Sequence, residues 1–239
     1  MPSLVTSAGT VEILTREESF AELARRINVL AARGPASVGL SGGSTPKAFY
    51  AWVVRTGALT AEALARIDWH VSDERCVPLS SDDSNFGHAA RGMLDTLGVP
   101  AARRFPWPIE LSPLDAAAAY EAAWAARSPA KAFDLCVLGL GDDSHIASLW
   151  PRCPLIGAPA GPRFVATEWP GRGWRLTITE AGLAQCASIV VLVGGSAKAP
   201  ALRAIARGEH QPSLHPGQTL RAFAPRVTWL SDSEAAAQL

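Results

Sequence analysis

Apolar and polar positions along the 239-residue chain fall into two alternating patterns. Short apolar or β-branched runs at Val11–Leu14, Ser37–Leu40, Ile67–Val71, Phe133–Leu138, Arg163–Thr167, Trp174–Thr179, Ser188–Val193 and Val227–Leu230 predict strands. Between them, helical patterns at Glu17–Ala32, Pro46–Val54, Asn85–Leu97, Leu114–Ala126, Ala181–Cys186 and Lys198–Ala206 predict helices. Strands that alternate with helices imply a mainly parallel sheet covered on both faces. The runs FDLCVLGL and SIVVLVGG are almost wholly apolar, as strands buried on both sides should be. The expected fold is a single α/β domain over residues 1–239, a doubly wound, Rossmann-like sheet.

Two loop-like stretches break the rhythm, Ala101–Pro113 and Pro151–Arg172, and both read as long excursions near a site because apolar residues continue through them. The alanine-rich LDAAAAYEAAWAAR is a helix by propensity and reads as scaffold. No tandem repeat is visible, and a disordered tail is expected only over the first few residues.

Composition narrows the class. The chain is 48% apolar and 18% charged, with 22 basic and 22 acidic side chains. This balance argues against a nucleic-acid binder, which needs a basic excess. The four cysteines (Cys76, Cys136, Cys153 and Cys186) are scattered without a C-x-x-C pair, which favours free structural thiols over disulfides or zinc. The N-terminal stretch lacks the basic-then-apolar layout of a signal peptide, and no run approaches the ~20 apolar residues of a membrane span. A cytoplasmic protein without membrane or nucleic-acid partners is the expectation, as a monomer or small homo-oligomer.

Candidate chemistry sits at the ends of the predicted strands. VGLSGGSTPKAFY runs a strand through Gly42, Gly43, Ser44 and Thr45 into a helix, with Thr45 as the expected N-cap and Pro46 in the first turn. Such a turn is either a tight connection or a cradle whose bare backbone N–H groups meet a phosphate at the helix dipole. It is not a Walker loop, since the Gly-Lys-[Ser/Thr] ending is missing. In DWHVSDERCVP, Asp73, Glu74 and Arg75 are either a solvated charged loop or the place where an arginine grips an oxyanion. Downstream, Asn85 is the residue expected to turn inward from a helix cap. In FDLCVLGLGDDSHIASLWP the Gly139-Leu140-Gly141 start of a dinucleotide turn has Ser144 where the third glycine belongs, so no nucleotide cofactor is expected. There, Asp143 lies two residues from His145, a spacing at which a carboxylate can orient an imidazole for proton transfer. A second Gly-Gly-Ser turn, Gly194–Ser196, precedes Lys198. The five histidines do not pair at metal-ligand spacing, and no G-x-S-x-G elbow is present.

Ligands of open parallel sheets collect outside the carboxyl ends of strands. Four charged or glycine-rich segments after four predicted strands therefore suggest one pocket, suited to proton transfer or water activation on a small phosphorylated molecule.

At these residues the chain resembles the 6-phosphogluconolactonase family, through LSGGSTPKAFY, SDERCVP followed by SNFGHA, GLGDDSHIASLWP, RLTIT and VLVGGSAKA, in that order from about Val38 to Ala199. The related glucosamine-6-phosphate deaminases usually continue the D-x-H signature into Phe-Asn-Glu-Pro, whereas this chain reads Ala-Ser-Leu-Trp-Pro. The resemblance implies hydrolysis of 6-phospho-D-glucono-1,5-lactone, with His145 as general base and Asp143 orienting it. It implies that Gly42, Gly43, Ser44, Thr45 and Arg75 hold the phosphate, with Arg175 and Lys198 as further anion contacts. Asp73 and Asn85 belong to the same substrate-binding set, and no cofactor or metal is expected. The alternatives are a deaminase or isomerase of amino-sugar phosphates and a non-enzymatic sugar-phosphate sensor. The chain departs from the family in two places. Ser144 replaces a common glycine, and Thr167–Trp174 replaces a proline-rich lead-in.

Overall fold

Residues 2–239 are described by a computed structural model. Ten strands form: β1 (Ser3–Thr6), β2 (Gly9–Ile13), β3 (Ala36–Leu40), β4 (Ile67–Val71), β5 (Asp73–Arg75), β6 (Leu135–Gly139), β7 (Phe164–Trp169), β8 (Gly173–Ile178), β9 (Ile189–Val193) and β10 (Val227–Ser231). The helices are α1 (Arg16–Arg33), α2 (Ser44–Thr56), α3 (Ala61–Arg66), α4 (Asn85–Ala89), α5 (Pro113–Arg127), α6 (Glu180–Ala184) and α7 (Ala199–Arg207). Seven strands make one sheet in the order β1-β2-β10-β9-β6-β3-β4, parallel throughout except for β1 against β2. Every residue of β9 and Leu135–Leu138 of β6 are buried, as their unbroken apolar runs predict.

The other three strands form a separate antiparallel sheet, β5-β8-β7. The sequence reading treats the runs over Arg163–Thr167 and Trp174–Thr179 as members of a mainly parallel sheet, and the structure corrects this. Only Pro170–Arg172 separate β7 from β8, which suffices for a hairpin but not for the crossover that parallel neighbours need.

Helix α1 starts at a capping box, Thr15 with Glu18, and buries Phe20, Leu23, Ala24, Ile27 and Ala31 along one stripe. The expected helix over Asn85–Leu97 is instead α4 followed by one wide π turn at Ala90–Leu94, which brings the adjacent Met93 and Leu94 both into the core. Strand β1 replaces the expected tail; its alternating half-exposed pattern is a weak signal at a sheet edge. Met1 lies outside the described residues. Helix α3 is too short for periodicity to reveal, although Thr60 caps it.

Helix α5 is scaffold, as its composition suggests. Its Tyr120 and Trp124 join Trp107, Phe133 and Phe164 in an aromatic cluster, with Trp107 stacked on Tyr120 at 4.0 Å. The Ala101–Pro113 excursion therefore serves the core, through buried Trp107, and not the site cavity described below. All four cysteines are free, and among the described residues no helix is long and apolar enough to cross a membrane.

Candidate active site

The apolar residues of β3 end at Leu40, and the chain then turns into α2 without side chains in the way. Gly42 has no room for one: a Cβ there would lie 1.9 Å from Asn85 Oδ1. Gly43, at φ 96°, is the N-cap, so α2 begins at Ser44. Thr45, expected as the cap, lies inside the first turn, because the glycine backbone rather than a hydroxyl sets the bend. The buried Tyr50 hydroxyl donates to Ser41 O (2.6 Å) and ties the turn to the helix it starts. First-turn N–H groups have no intrahelical acceptor, so this turn offers donors and a positive dipole end to an anion.

The Asp73-Glu74-Arg75 triplet is strand β5, not a solvated loop; Asp73 and Glu74 are buried. Alternation along even three residues sends Asp73 and Arg75 to the cavity and Glu74 the other way. Glu74 accepts the backbone N–H groups of Arg75, Asn85 and Phe86 and the Ser84 hydroxyl at 2.7–2.9 Å, which fixes the start of α4. Burial nevertheless raises its pKa, the N–H donors offsetting only part of that effect. Asn85, so fixed, turns inward as expected: its Nδ2 donates to Asp73 O (2.8 Å) and its Oδ1 fills the space above Gly42. Asp73 accepts from the Ser148 hydroxyl (2.8 Å) and the Ser72 hydroxyl (3.2 Å).

Arg75 faces Arg175 across the β5–β8 pairing. Burial lowers the Arg175 pKa, and the Arg75 charge adds to the effect, so an anion between them relieves a like-charge contact. Arg75 is steadied by Asp83 O (2.6 Å). Arg172 lies over the Trp169 ring at 4.7 Å, and the Lys198 ammonium pairs with Asp142.

The loop after β6 carries the imidazole. Gly141 is obligatory beside it, since a Cβ there would fall 1.9 Å from His145 Nδ1. His145 Nδ1 and Asp143 Oδ1 are 2.6 Å apart, and this bond pulls the Asp143 pKa down to about 2. The imidazole also meets Trp169 edge to face, 5.2 Å between centroids, and Trp169 stacks on Trp150 at 4.9 Å. Ser144 and Ala147, on either side of His145, hold φ 71° and 46°. A left-handed backbone costs a residue with a Cβ roughly 1–2 kcal/mol. The N–H groups of Gly141, Ser144 and His145 bond within the loop (2.9, 3.0 and 3.2 Å), which braces the turn around the imidazole.

One cavity of about 280 Å³ is lined by Gly42, Gly43, Ser44, Thr45, Asp73, Arg75, Asn85, His145, Arg175 and Lys198. Asp143 is not in its wall but behind the imidazole. Ser41 and Gly141, from the two glycine-bearing segments expected at the pocket, also line it, as do Ser148, Trp169 and Arg172, which escaped the sequence reading. Trp169 and Arg172 had no signal beyond lying in the Pro151–Arg172 excursion. The Pro151–Arg172 excursion reaches the cavity only at that end.

A carboxylate-oriented imidazole at the carboxyl ends of parallel strands, facing arginines and a helix start, defines an α/β protein equipped for proton transfer on a small anion. The family described as glucosamine-6-phosphate isomerases/6-phosphogluconolactonase matches residues 15–229, and the chain belongs to it. A 6-phosphogluconolactonase of Synechocystis sp. is 33% identical over 246 residues, spanning 97% of this chain and 99% of its own. One from Rhizobium meliloti is 35% identical over 218 residues, spanning 86% and 89%. Among solved structures, that titled "Crystal Structure of devB protein" superposes with a TM-score of 0.85 at 25% identity, covering 96% of this chain and 98% of that one.

Proposed function

We propose that the chain, acting as one domain, hydrolyses 6-phospho-D-glucono-1,5-lactone to 6-phospho-D-gluconate in the oxidative pentose phosphate pathway. The observation that carries this reading is that His145, 2.6 Å from Asp143, opens on the same cavity as Arg75, Arg175 and the Gly42–Thr45 turn. The near-full-length likeness to proteins named 6-phosphogluconolactonase supports it.

The substrate phosphate docks at the helix start and the facing arginines, and that binding places the lactone carbonyl before His145. Asp143 accepts a hydrogen bond from the Nδ1–H, which leaves Nε2 free to take a proton from water. The water oxygen adds to the carbonyl carbon as its proton moves to Nε2. The tetrahedral adduct then collapses, the bond from the carbonyl carbon to the ring oxygen breaks, and the imidazolium returns its proton to that oxygen. Water is consumed, a carboxylic acid and an alcohol form, and the imidazole is regenerated.

The test is a coupled assay with freshly generated lactone, corrected for spontaneous opening. The protein accelerates opening, and His145→Ala lowers kcat by about 10²–10⁴ while 6-phosphogluconate still binds. Near-normal turnover in that variant removes His145 from the mechanism. Ammonia release from glucosamine 6-phosphate, without lactone opening, favours the deaminase alternative.

A further inference from the structure

Ser144 sits between the carboxylate and the imidazole, buried and left-handed. It is gripped from outside its own turn at two points. Its carbonyl accepts the Gly217 N–H (2.9 Å), and its hydroxyl lies 3.2 Å from His215 Nδ1. The gripping segment is itself fastened to α7. A Cβ on Gly217 would fall 2.4 Å from Ile205 Cδ1, so that residue is closely packed. Fully buried Gln218 donates to Ala204 O and Glu209 O, both at 2.8 Å, and accepts the Gln211 N–H at 2.6 Å. The His215 N–H donates to Gln211 O (2.9 Å), which sets the imidazole against this rigid base.

We propose that His215 is a positioning residue for the reaction: by bonding the Ser144 hydroxyl it holds the turn in the left-handed form that presents His145 to the cavity. The proposal rests on the lactone-hydrolysis reading. A residue with a Cβ drifts toward right-handed backbone unless it is held, and the direction of the next side chain follows. Glycine has no such preference. The need for His215 thus arises from the serine at position 144.

Steady-state kinetics on four variants test this. Ser144→Ala keeps the Cβ and loses the hydroxyl; kcat falls about tenfold with KM within about twofold. His215→Ala falls by the same factor, and the Ser144→Ala/His215→Ala pair falls no further, as for two partners of one bond. Ser144→Gly/His215→Ala recovers to within about threefold of the natural chain, since glycine takes the turn freely. A residue that only stiffened the loop would give the reverse order, glycine below alanine. Should His215→Ala fail to fold, Ser144→Ala and Ser144→Gly read the same contrast from the other end of the bond. Natural rates in Ser144→Ala, or glycine no better than alanine, overturn the clasp. Absence of lactone opening by the natural chain overturns the functional reading instead.

Discussion

At Gly141 the absence of a methyl group is what lets His145 keep its place, because an added Cβ would overlap Nδ1. The ring is then held in-plane by Asp143, whose carboxylate stays ionised down to about pH 2 because the imidazole bonds it. An amide at position 143 can donate to Nδ1 and favour the tautomer with its proton on Nε2, which cannot take one from water. Asp143→Asn therefore lowers kcat by about 10²–10⁴ and leaves KM within about twofold, measured in the lactone assay. An unchanged kcat would show that the tautomer is set elsewhere. Residue identities at this scale were readable in advance, since Asp143 and His145 stand two apart after an apolar run. Their conformations were not: the left-handed backbone at Ser144 is held by Gly217 and His215, far along the chain.

Among the elements, the three-residue β5 is the least conspicuous and the most consequential for the site. It divides a charged triplet between two tasks, Arg75 for the cavity and Glu74 for the start of α4. Glu74→Ala leaves the buried N–H groups of Asn85 and Phe86 without acceptors, so unfolding free energy falls by about 2–4 kcal/mol in a denaturant titration. A loss below about 0.5 kcal/mol, the range of surface substitutions, would mean that water replaces the carboxylate. Sequence pattern cannot expose such a strand, because three charged residues look like a solvated loop until the partner strand β8 is known. The long buried runs of β6 and β9 were legible for the opposite reason, their apolar character being independent of partners. Helix starts were legible where a side chain makes the cap, as at α4, where Ser84 caps a helix that begins at Asn85, and misread at α2, where Gly43 does so with backbone alone.

Across the whole molecule, the aromatic cluster beside β4 encloses an ionisable group. His70 is buried, bonded through Nδ1 to the Tyr120 hydroxyl (2.7 Å), and burial holds its pKa well below the ordinary 6.5. The charge of Arg127 at the rim adds to the lowering, and Arg127 is itself paired with Asp68. The folded chain keeps this imidazole neutral, whereas the unfolded chain protonates it as the pH drops through about 6.5. Its contribution is therefore complete above that value and is lost below it, at up to about 1.4 kcal/mol per pH unit. Unfolding free energies measured between pH 7 and 4.5 should follow that slope, and His70→Phe should flatten it. An unaltered slope in the variant would assign the titration to other groups. The parallel pairing of the main sheet was legible from the alternation of strands and helices, whereas its strand order and the separate β5-β8-β7 sheet were not.

Trp169 presses one edge toward the proposed base, carries Arg172 above its ring and leans on Trp150. The molecule thus carries an optical probe in the wall of the cavity proposed for catalysis. Occupancy by a sugar phosphate alters the surroundings of that indole, so emission intensity reports ligand capture even in a variant that no longer turns substrate over.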